Sequence, residues 1–390
     1  MEGRQSLTQQ AQEAIDSADC LIGAERMLKP FSDISKNKLT SWDSSEISDY
    51  VMSTSFDTYA VLMSGDCGYF SGTENLLKAL PEGVETEIIN GISSPVYFCG
   101  KLQIPWQDIP TVNLHGETAN VVRIAAMNRR CFFLLGGKLT VKNICKQLCK
   151  YGMGDIYVYI GEMLGYPQER ILKGSARDFT EIDIKSLSVM MTENSYPETH
   201  IRSGIPDEEF IRGKVPMTKE EVRAVIISKL RLQPDSIVWD LGAGTGSVSI
   251  TCAKCCPYGQ VYAVEYQEQA LDILRQNCAY LQAENVTVIA GRAETVLSEL
   301  PVPDCIFIGG SNGAFPEILQ QIQQLPKSVR LVVSAVTLET QAEVTQLLQD
   351  APQLEIIPVF SGQSRKVGRY HVLQPYHPVL LFACTGGKSS

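Results

Sequence analysis

The sequence predicts an α/β protein built as two domains. Three observations lead there: the length, short β-rich runs that alternate with helix-length segments, and a glycine-rich turn directly after an apolar strand. With 390 residues and roughly 150 residues per domain, two domains are the natural reading. Composition is that of a globular chain, 44% hydrophobic, 20% charged and 8% aromatic, which excludes a disordered tail, a collagen and a long coiled coil. The polar stretch Thr192–Pro206, TENSYPETHIRSGIP, carries two prolines and a glycine and marks the boundary. The expected domains are residues 1–192 and 207–390, joined by a linker over 193–206.

The second domain is the easier to read. Its strand runs are Ser236–Asp240, Gln260–Glu265, Val286–Ala290, Cys305–Gly309, Arg330–Ser334, Leu354–Phe360 and Val379–Cys384. Helical patterns such as Gln267–Gln282 and Leu338–Asp350 separate them, which predicts parallel strands covered by helices. The last two runs are joined by a loop bearing glycine, arginine and tyrosine, so one antiparallel member is expected. Ahead of this sheet, Thr218 stands three residues before Glu221, the spacing of a helix-opening capping box. The first domain also alternates. Its strand candidates are Thr58–Met63, Thr111–Leu114, Cys131–Leu135, Asp155–Ile160 and Ser186–Met191. Its helix candidates are Leu7–Ala18, Asn75–Ala79, Glu117–Asn128 and Thr140–Lys150.

Charge and cysteines narrow the partners. A net charge of -10 and a pI near 5.1 oppose nucleic-acid and anionic-membrane partners. No apolar run approaches the roughly 20 residues of a membrane helix. The opening MEGRQSLTQQ is too polar for a signal peptide, which gives a cytoplasmic reading. The 12 cysteines are scattered, and neither Cys252, Cys255 and Cys256 nor Cys145 and Cys149 has a histidine or second CxxC to complete a metal site. Reduced cysteines that pack helices are expected instead, with no metal. His115, His200, His371 and His377 form no motif.

The strongest chemical signal is Ile237-Val238-Trp239-Asp240-Leu241-Gly242-Ala243-Gly244-Thr245-Gly246. Glycines after a strand let the backbone turn sharply and approach a ligand that a Cβ would exclude. The helix that follows offers amides and a positive dipole end. A dinucleotide fingerprint needs its third glycine one place later, where Ser247 stands. That spacing disfavours a nicotinamide oxidoreductase and favours S-adenosylmethionine, its ammonium and carboxylate shared between Asp240 and backbone amides. Glu265 ends VYAVE, 19 residues after Gly246, near the roughly 20-residue offset of an acid that holds a ribose diol. Gly291-Arg292-Ala293-Glu294 follows the third strand, where an adenine would lie. A tight turn and a solvated carboxylate explain the glycines and Glu265 taken singly; their placement after successive strands argues for a site.

The runs GIPDEEFIRGKVPMTKEEVRAV, DLGAGTG, FIGGSNG and AVTLET, in that order, resemble the decarboxylating half of the precorrin-6Y C(5,15)-methyltransferase family of cobalamin biosynthesis, the cobalt-precorrin-6B C(15)-methyltransferase domain. The first half resembles that family's usual fusion partner, a tetrapyrrole methylase. It does so through SADCLIGAERML, LMSGDCGYFSG, NGISSPVYFCGKLQIPWQD, LHGE, FLLGGK and VYIGEMLGYPQERI. The resemblance implies a two-lobed tetrapyrrole-methylase domain followed by a Rossmann-like seven-stranded methyltransferase domain. It also implies S-adenosylmethionine as cofactor, a precorrin or cobalt-precorrin as substrate, and a homo-oligomer. In the second domain it implies cofactor contacts at Thr218, Asp240, Gly242, Ala243, Gly244, Thr245, Gly246, Glu265, Ala293 and Gly309, with Gly310 and Ser311 near the substrate. In the first it implies Ser64, Gly65, Asp66, Ser93 and Ser94, with Gly161 and Glu162 beside them.

Two departures bear on the first domain. The family opens with a strand and a GxGPG loop, whereas this sequence starts at MEGRQSLTQQA with only Gly3 nearby, which predicts an incomplete cleft. The proline usual in SGDPG is Cys67. A substrate rich in acetate and propionate calls for cations, and Arg212, Lys214, Arg365, Lys366 and Arg369 are the candidates, since arginine grips carboxylates bidentately; a solvated basic loop is the plainer reading of the same residues. Tyr370 is the candidate proton donor. The leading expectation is methylation of carbons 5 and 15 with loss of carbon dioxide from the ring C acetate. The alternative is one active domain, the second, beside a scaffold.

Overall fold

The computed structural model describes residues 4–114, 120–136, 139–184, 187–198 and 204–387. Gly3, His115, Glu117, Ser186 and His200, named above, lie outside them. The chain divides into two compact units. One comprises Met1–Thr118, Arg130–Lys146 and Asp155–Asn194; the other comprises Ala119–Arg129, Gln147–Gly154 and Ser195–Ser390. Among the described residues no helix is long and apolar enough to cross a membrane. The cysteines form no disulfide.

The first unit holds two sheets. Strands β1 (Cys20–Gly23), β2 (Asn37–Thr40) and β3 (Tyr59–Leu62) run parallel in the order β2-β1-β3. β1 is apolar on both faces. Leu21 packs with Ile15, Leu28 and Phe31, while Cys20 and Ile22 pack with Ile47 and Leu76. Strands β4 (Thr111–Asn113), β5 (Arg130–Leu134), β6 (Tyr157–Glu162), β7 (Arg170–Ser175) and β8 (Ser188–Glu193) form the second sheet in the order β4-β5-β8-β6-β7. β8 is antiparallel to both neighbours.

The second unit is a seven-stranded sheet with helices on both faces. Its strands are β9 (Ile237–Leu241), β10 (Gln260–Glu265), β11 (Val286–Ala290), β12 (Cys305–Ile308), β13 (Val329–Ala335), β14 (Glu355–Val359) and β17 (Val379–Gly386). The order is β11-β10-β9-β12-β13-β17-β14, with β17 the antiparallel member. Between β14 and β17 the sequence predicted a loop. The chain instead forms a hairpin of β15 (Gly362–Val367) and β16 (Tyr370–Pro375), exposed along its whole length.

Side chains alternate across β9, as the pleat requires. Val238 joins one core layer with Ile250, Cys252 and Ala253 of the helix Ser247–Cys255. Trp239 and Leu241 join the opposite layer with Phe315 and Ile318. Asp240 shares the parity of Val238, so the fold sends a carboxylate beneath the helix that follows the glycine turn.

Two further features depart from the sequence expectation. The helix Glu220–Leu230 is capped by the backbone of Lys219, with no side-chain cap bond, so Thr218 and Glu221 form no capping box. Glu220 and Glu221 fill the first turn and satisfy the dipole there. The helix Val121–Met127 clusters with the second unit. Val121, Val122, Ile124, Ala125 and Ala126 are all buried, and Asn120 Nδ2 donates to the carbonyls of Pro257 and Gly259 at 2.9 Å each.

Candidate functional site

The sheet order reverses at β9, which lies between β10 and β12. Ligands in open α/β sheets bind outside the carboxyl ends of the strands at such a switch point. The turn leaving β9 needs its glycines: Gly242, Gly244 and Gly246 have φ of 77°, 55° and 81°. A Cβ on Gly242 would stand 2.6 Å from the carbonyl oxygen of Gly310, so this glycine also lets the loops after β9 and β12 close on each other. Gly246 sits against Leu274 with no room for a side chain.

The turn keeps most of its amides for itself. Gly242 and Ala243 donate to the Val264 carbonyl at 3.0 Å each, and Gly246 donates to Ala243 at 2.8 Å. Asp240, fully buried, accepts the hydroxyl of Ser249 and also its backbone amide. The positive end of the helix Ser247–Cys255 is thus answered by the chain's own carboxylate. Burial pushes the Asp240 carboxyl up to about 7 against those two hydrogen bonds, with nearby Glu265 raising it further.

Glu265 ends β10 and is itself nearly buried, at 6% exposure. One carboxylate oxygen accepts the Gly244 amide at 2.9 Å. The other accepts the amides of Tyr266 at 2.8 Å and Gln267 at 2.9 Å. A carboxylate offers about four lone-pair sites, so acceptor capacity remains for a ligand hydroxyl. Beside it opens a cleft of about 310 Å³ including its mouth, walled by Gly242 from β9, Val264, Glu265 and Tyr266 from β10, Gly291–Glu294 after β11, and Gly310–Asn312 after β12. The Arg292 guanidinium stacks 5.0 Å from the Tyr266 ring centroid and stands 3.6 Å from Glu294, which gives one wall a flat, partly cationic surface.

The structure therefore brings Gly242, Glu265, Ala293, Gly310 and Ser311 into one cleft. Asp240, Ala243, Gly244, Thr245, Gly246 and Gly309 do not line it, and Asp240 is fully buried under the helix instead. Thr218 is half-buried, and its carbonyl accepts Arg223 Nη1 at 2.7 Å. Arg212 and Lys214 are exposed on either side of Gly213. Arg365, Lys366, Arg369 and Tyr370 lie on the projecting hairpin, where Arg369 stacks on the Tyr370 ring at 5.0 Å; none of them lines the cleft. Sequence reasoning passed over Tyr266, Asn312 and Ser249. Tyr266 directly follows a strand-end acid, and that position was the available signal.

In the first unit, Gly65 has φ of 75°. A Cβ there would lie 3.3 Å from the Ile92 carbonyl and 3.8 Å from the Ser93 Cα, and one on Gly91 would strike the Gly65 carbonyl. Ser64-Gly65-Asp66 and Ser93-Ser94 are therefore neighbours. Asp66 accepts the Gly68 amide at 2.8 Å, and Ser93, which is buried, precedes the helix Ser94–Leu102. Cys67, in place of the usual proline, points its thiol toward the Ile89 carbonyl at 3.7 Å. Gly161 packs against Phe98, and buried Glu162 pairs with Arg170 at 2.7 Å, an arrangement that serves packing. Among the described residues no cluster of three or more His, Cys, Asp or Glu is placed to hold a metal.

A switch-point cleft with a glycine turn and a strand-end acid, on this sheet order, defines a Rossmann-like methyltransferase. Family models match both parts of the chain: tetrapyrrole (corrin/porphyrin) methylases over residues 3–180 and the precorrin methyltransferase domain over residues 209–386. A probable cobalt-precorrin-6B C(15)-methyltransferase (decarboxylating) of Pyrobaculum calidifontis is 39% identical over 183 residues, 46% of this chain and 93% of the relative. A precorrin-6Y C(5,15)-methyltransferase [decarboxylating] of Sinorhizobium is 26% identical over 334 residues, 84% of this chain and 80% of the relative. A crystal structure of a precorrin-6Y C5,15-methyltransferase from Geobacter metallireducens, 38% identical, aligns with 46% of this chain and 95% of its own at a TM-score of 0.44. The chain belongs to the decarboxylating precorrin methyltransferases of the precorrin-6Y C(5,15)-methyltransferase family, with a tetrapyrrole methylase region followed by a precorrin methyltransferase region.

Proposed function

We propose that this enzyme methylates a precorrin or cobalt-precorrin at carbons 5 and 15, with S-adenosylmethionine as donor, and releases the ring C acetate carboxyl as carbon dioxide. The observation that carries the reading is Glu265, a buried carboxylate fixed by three backbone amides at the wall of the switch-point cleft. The residues fit the cofactor: an acid for the ribose diol, a glycine at 242 where a Cβ would meet the facing loop, and a flat wall at Tyr266 and Arg292 for a base. The relative from Sinorhizobium, aligned across both regions, supports chemistry at two carbons over a single active domain.

When bound, S-adenosylmethionine supplies an electrophilic methyl on a sulfonium. The chain's own task is positioning, which can lower such a barrier by about 7–11 kcal/mol. The loops after β9 and β12 hold the nucleophilic carbon in line with that methyl. In the decarboxylation the bond to the carboxyl breaks, carbon dioxide leaves, and the electron pair passes into the conjugated macrocycle, which later takes up a proton. Arg212 and Lys214 grip peripheral carboxylates beside the cleft. Arg365, Lys366, Arg369 and Tyr370 meet the macrocycle's outer edge rather than its reacting carbon.

Calorimetric titration with S-adenosylhomocysteine tests the reading, with two sites per chain expected. Gly91→Ala, which forces the chain at 91 away from the Gly65 carbonyl, should reduce the count to one and leave the remaining affinity unchanged. Mass spectrometry with a labelled methyl donor should show two methyls gained and one carbon dioxide lost. A single methyl gained would leave the first domain as a scaffold, and no binding at all would refute the reading.

A further inference from the structure

We infer that Asn277 is a positioning residue that locks the segment Ile211–Thr218 to the glycine turn, so that the cofactor turn and the cations Arg212 and Lys214 move as one body. The inference rests on reading the cleft as an S-adenosylmethionine site.

Asn277 lies in the helix Glu268–Tyr280, which covers the sheet beside the turn, and it is fully buried. All of its amide chemistry is used outside its own helix. Its Oδ1 accepts the Ile211 amide at 2.8 Å. Its Nδ2 donates to the Ile211 carbonyl at 2.9 Å and to the Thr245 carbonyl at 2.8 Å. One side chain therefore pins both backbone groups of the residue before Arg212 and a carbonyl inside the glycine turn. Only a carboxamide can accept from one backbone N–H while donating to two carbonyls.

The two things it joins already lie against each other. The Pro216 carbonyl would stand 3.4 Å and the Val215 Cγ1 3.9 Å from a Cβ on Gly244, so the segment packs directly on the turn. Its far end at Thr218 is held separately by buried Arg223, which donates to the carbonyls of Ile205 and Thr218 and pairs with Asp207. Phe210 lies 4.9 Å beneath the same guanidinium. Arg223 thus anchors the Thr218 end of the segment to the chain ahead of it, and Asn277 is the side chain that ties the Ile211 end to the turn. A shift there changes the distance between the carboxylate-gripping cations and the reacting methyl, and a misplacement of about 1 Å can cost about 100-fold in rate.

The test uses the full chain with Asn277→Leu and Asn277→Asp. The leucine variant should bind S-adenosylhomocysteine at the second site at least tenfold more weakly, and its kcat for carbon-15 methylation should fall more than its KM rises. Amides of residues 211–215 should exchange faster with deuterium in the absence of any ligand. The aspartate variant keeps the acceptor for Ile211 and regains a donor only when protonated, so its activity should recover as pH falls, relative to the unmodified enzyme. Should the leucine variant fail to fold, the aspartate pH profile decides alone. Variants with unchanged affinity, kcat and exchange at 211–215, or an aspartate profile parallel to that of the unmodified enzyme, would overturn the inference. Absence of S-adenosylhomocysteine binding by the unmodified enzyme would instead overturn the underlying reading, and the exchange data would then judge the coupling by itself.

Discussion

Glu265→Ala should lower the affinity of the second site for S-adenosylhomocysteine by at least about 100-fold and abolish carbon-15 methylation. The side chain does two jobs that the variant loses together. It terminates β10 by accepting the amides of Tyr266 and Gln267, and it reaches across to the Gly244 amide of the neighbouring turn. Each buried donor left without a partner costs about 1–3 kcal/mol, and the turn will relax to find water rather than bear that cost. The cofactor's diol also loses its acceptor, and hydrogen bonds to a charged group are worth about 1.5–3 kcal/mol each. One such bond converts to roughly 10- to 100-fold at about 1.4 kcal/mol per tenfold, and the relaxation of the turn adds to that loss.

Glu265→Gln separates the two jobs. Its single amide oxygen can serve one side of the carboxylate's network, while its NH2 faces backbone donors, so an intermediate loss of about tenfold is expected. Calorimetry on both variants, with near-ultraviolet circular dichroism to establish folding, checks the ordering. A folded alanine variant binding within threefold of the unmodified enzyme would remove Glu265 from the site.

Much of the second unit was legible because each signal had a local cause. The strand runs alternate with helix-length segments, and the observed β10 and β11 match the expected Gln260–Glu265 and Val286–Ala290. The glycine turn was legible because only glycine tolerates three positive φ angles in five residues. Asp240 was harder. Its side chain points by strand parity into the layer beneath the helix Ser247–Cys255, and sequence shows that parity only once the core face is known. Its occupation of the helix N-terminus also removes the dipole site that the glycine motif alone advertises. Thr218 had the spacing of a cap, but Lys219 takes the extended backbone position, and spacing cannot distinguish two adjacent candidates.

The missed elements share a physical reason. β1 is four residues buried on both faces, too short to show alternation, and β2 is the polar run NKLT. β15 and β16 bury neither face, so no hydrophobic period marks them. The helix Val121–Met127 was expected, within Glu117–Asn128; being apolar nearly all round, it announced burial without saying against which partner.

The second large effect concerns pH. Asp240 is raised from 3.8 to about 7 in the folded chain, chiefly by burial. For a carboxyl with a raised folded pKa, the native state binds more protons than the unfolded chain between the two values, so stability falls as pH rises through that window. Below about 4 both states are protonated and no penalty applies; above about 7 both are ionised and the full penalty persists. A displacement of this size corresponds to about 4 kcal/mol.

Asp240→Asn cannot ionise, so its stability relative to the unmodified chain should climb steadily from pH 4 to pH 7 and then level off. Its absolute offset depends on how well the amide suits Ser249 and on the partner available where Asp240 Oδ1 now has none; the slope does not. Glu284, also raised to about 7 by burial, tilts both proteins the same way. Glu355, held down at about 2 by Lys229 and Arg330, acts in both at lower pH with opposite sign. The difference between the two urea-denaturation series cancels these shared contributions. A flat difference from pH 4 to pH 8 would mean that Asp240 is ionised in the folded protein throughout, and that the helix end beneath the glycine turn holds a charge rather than a proton.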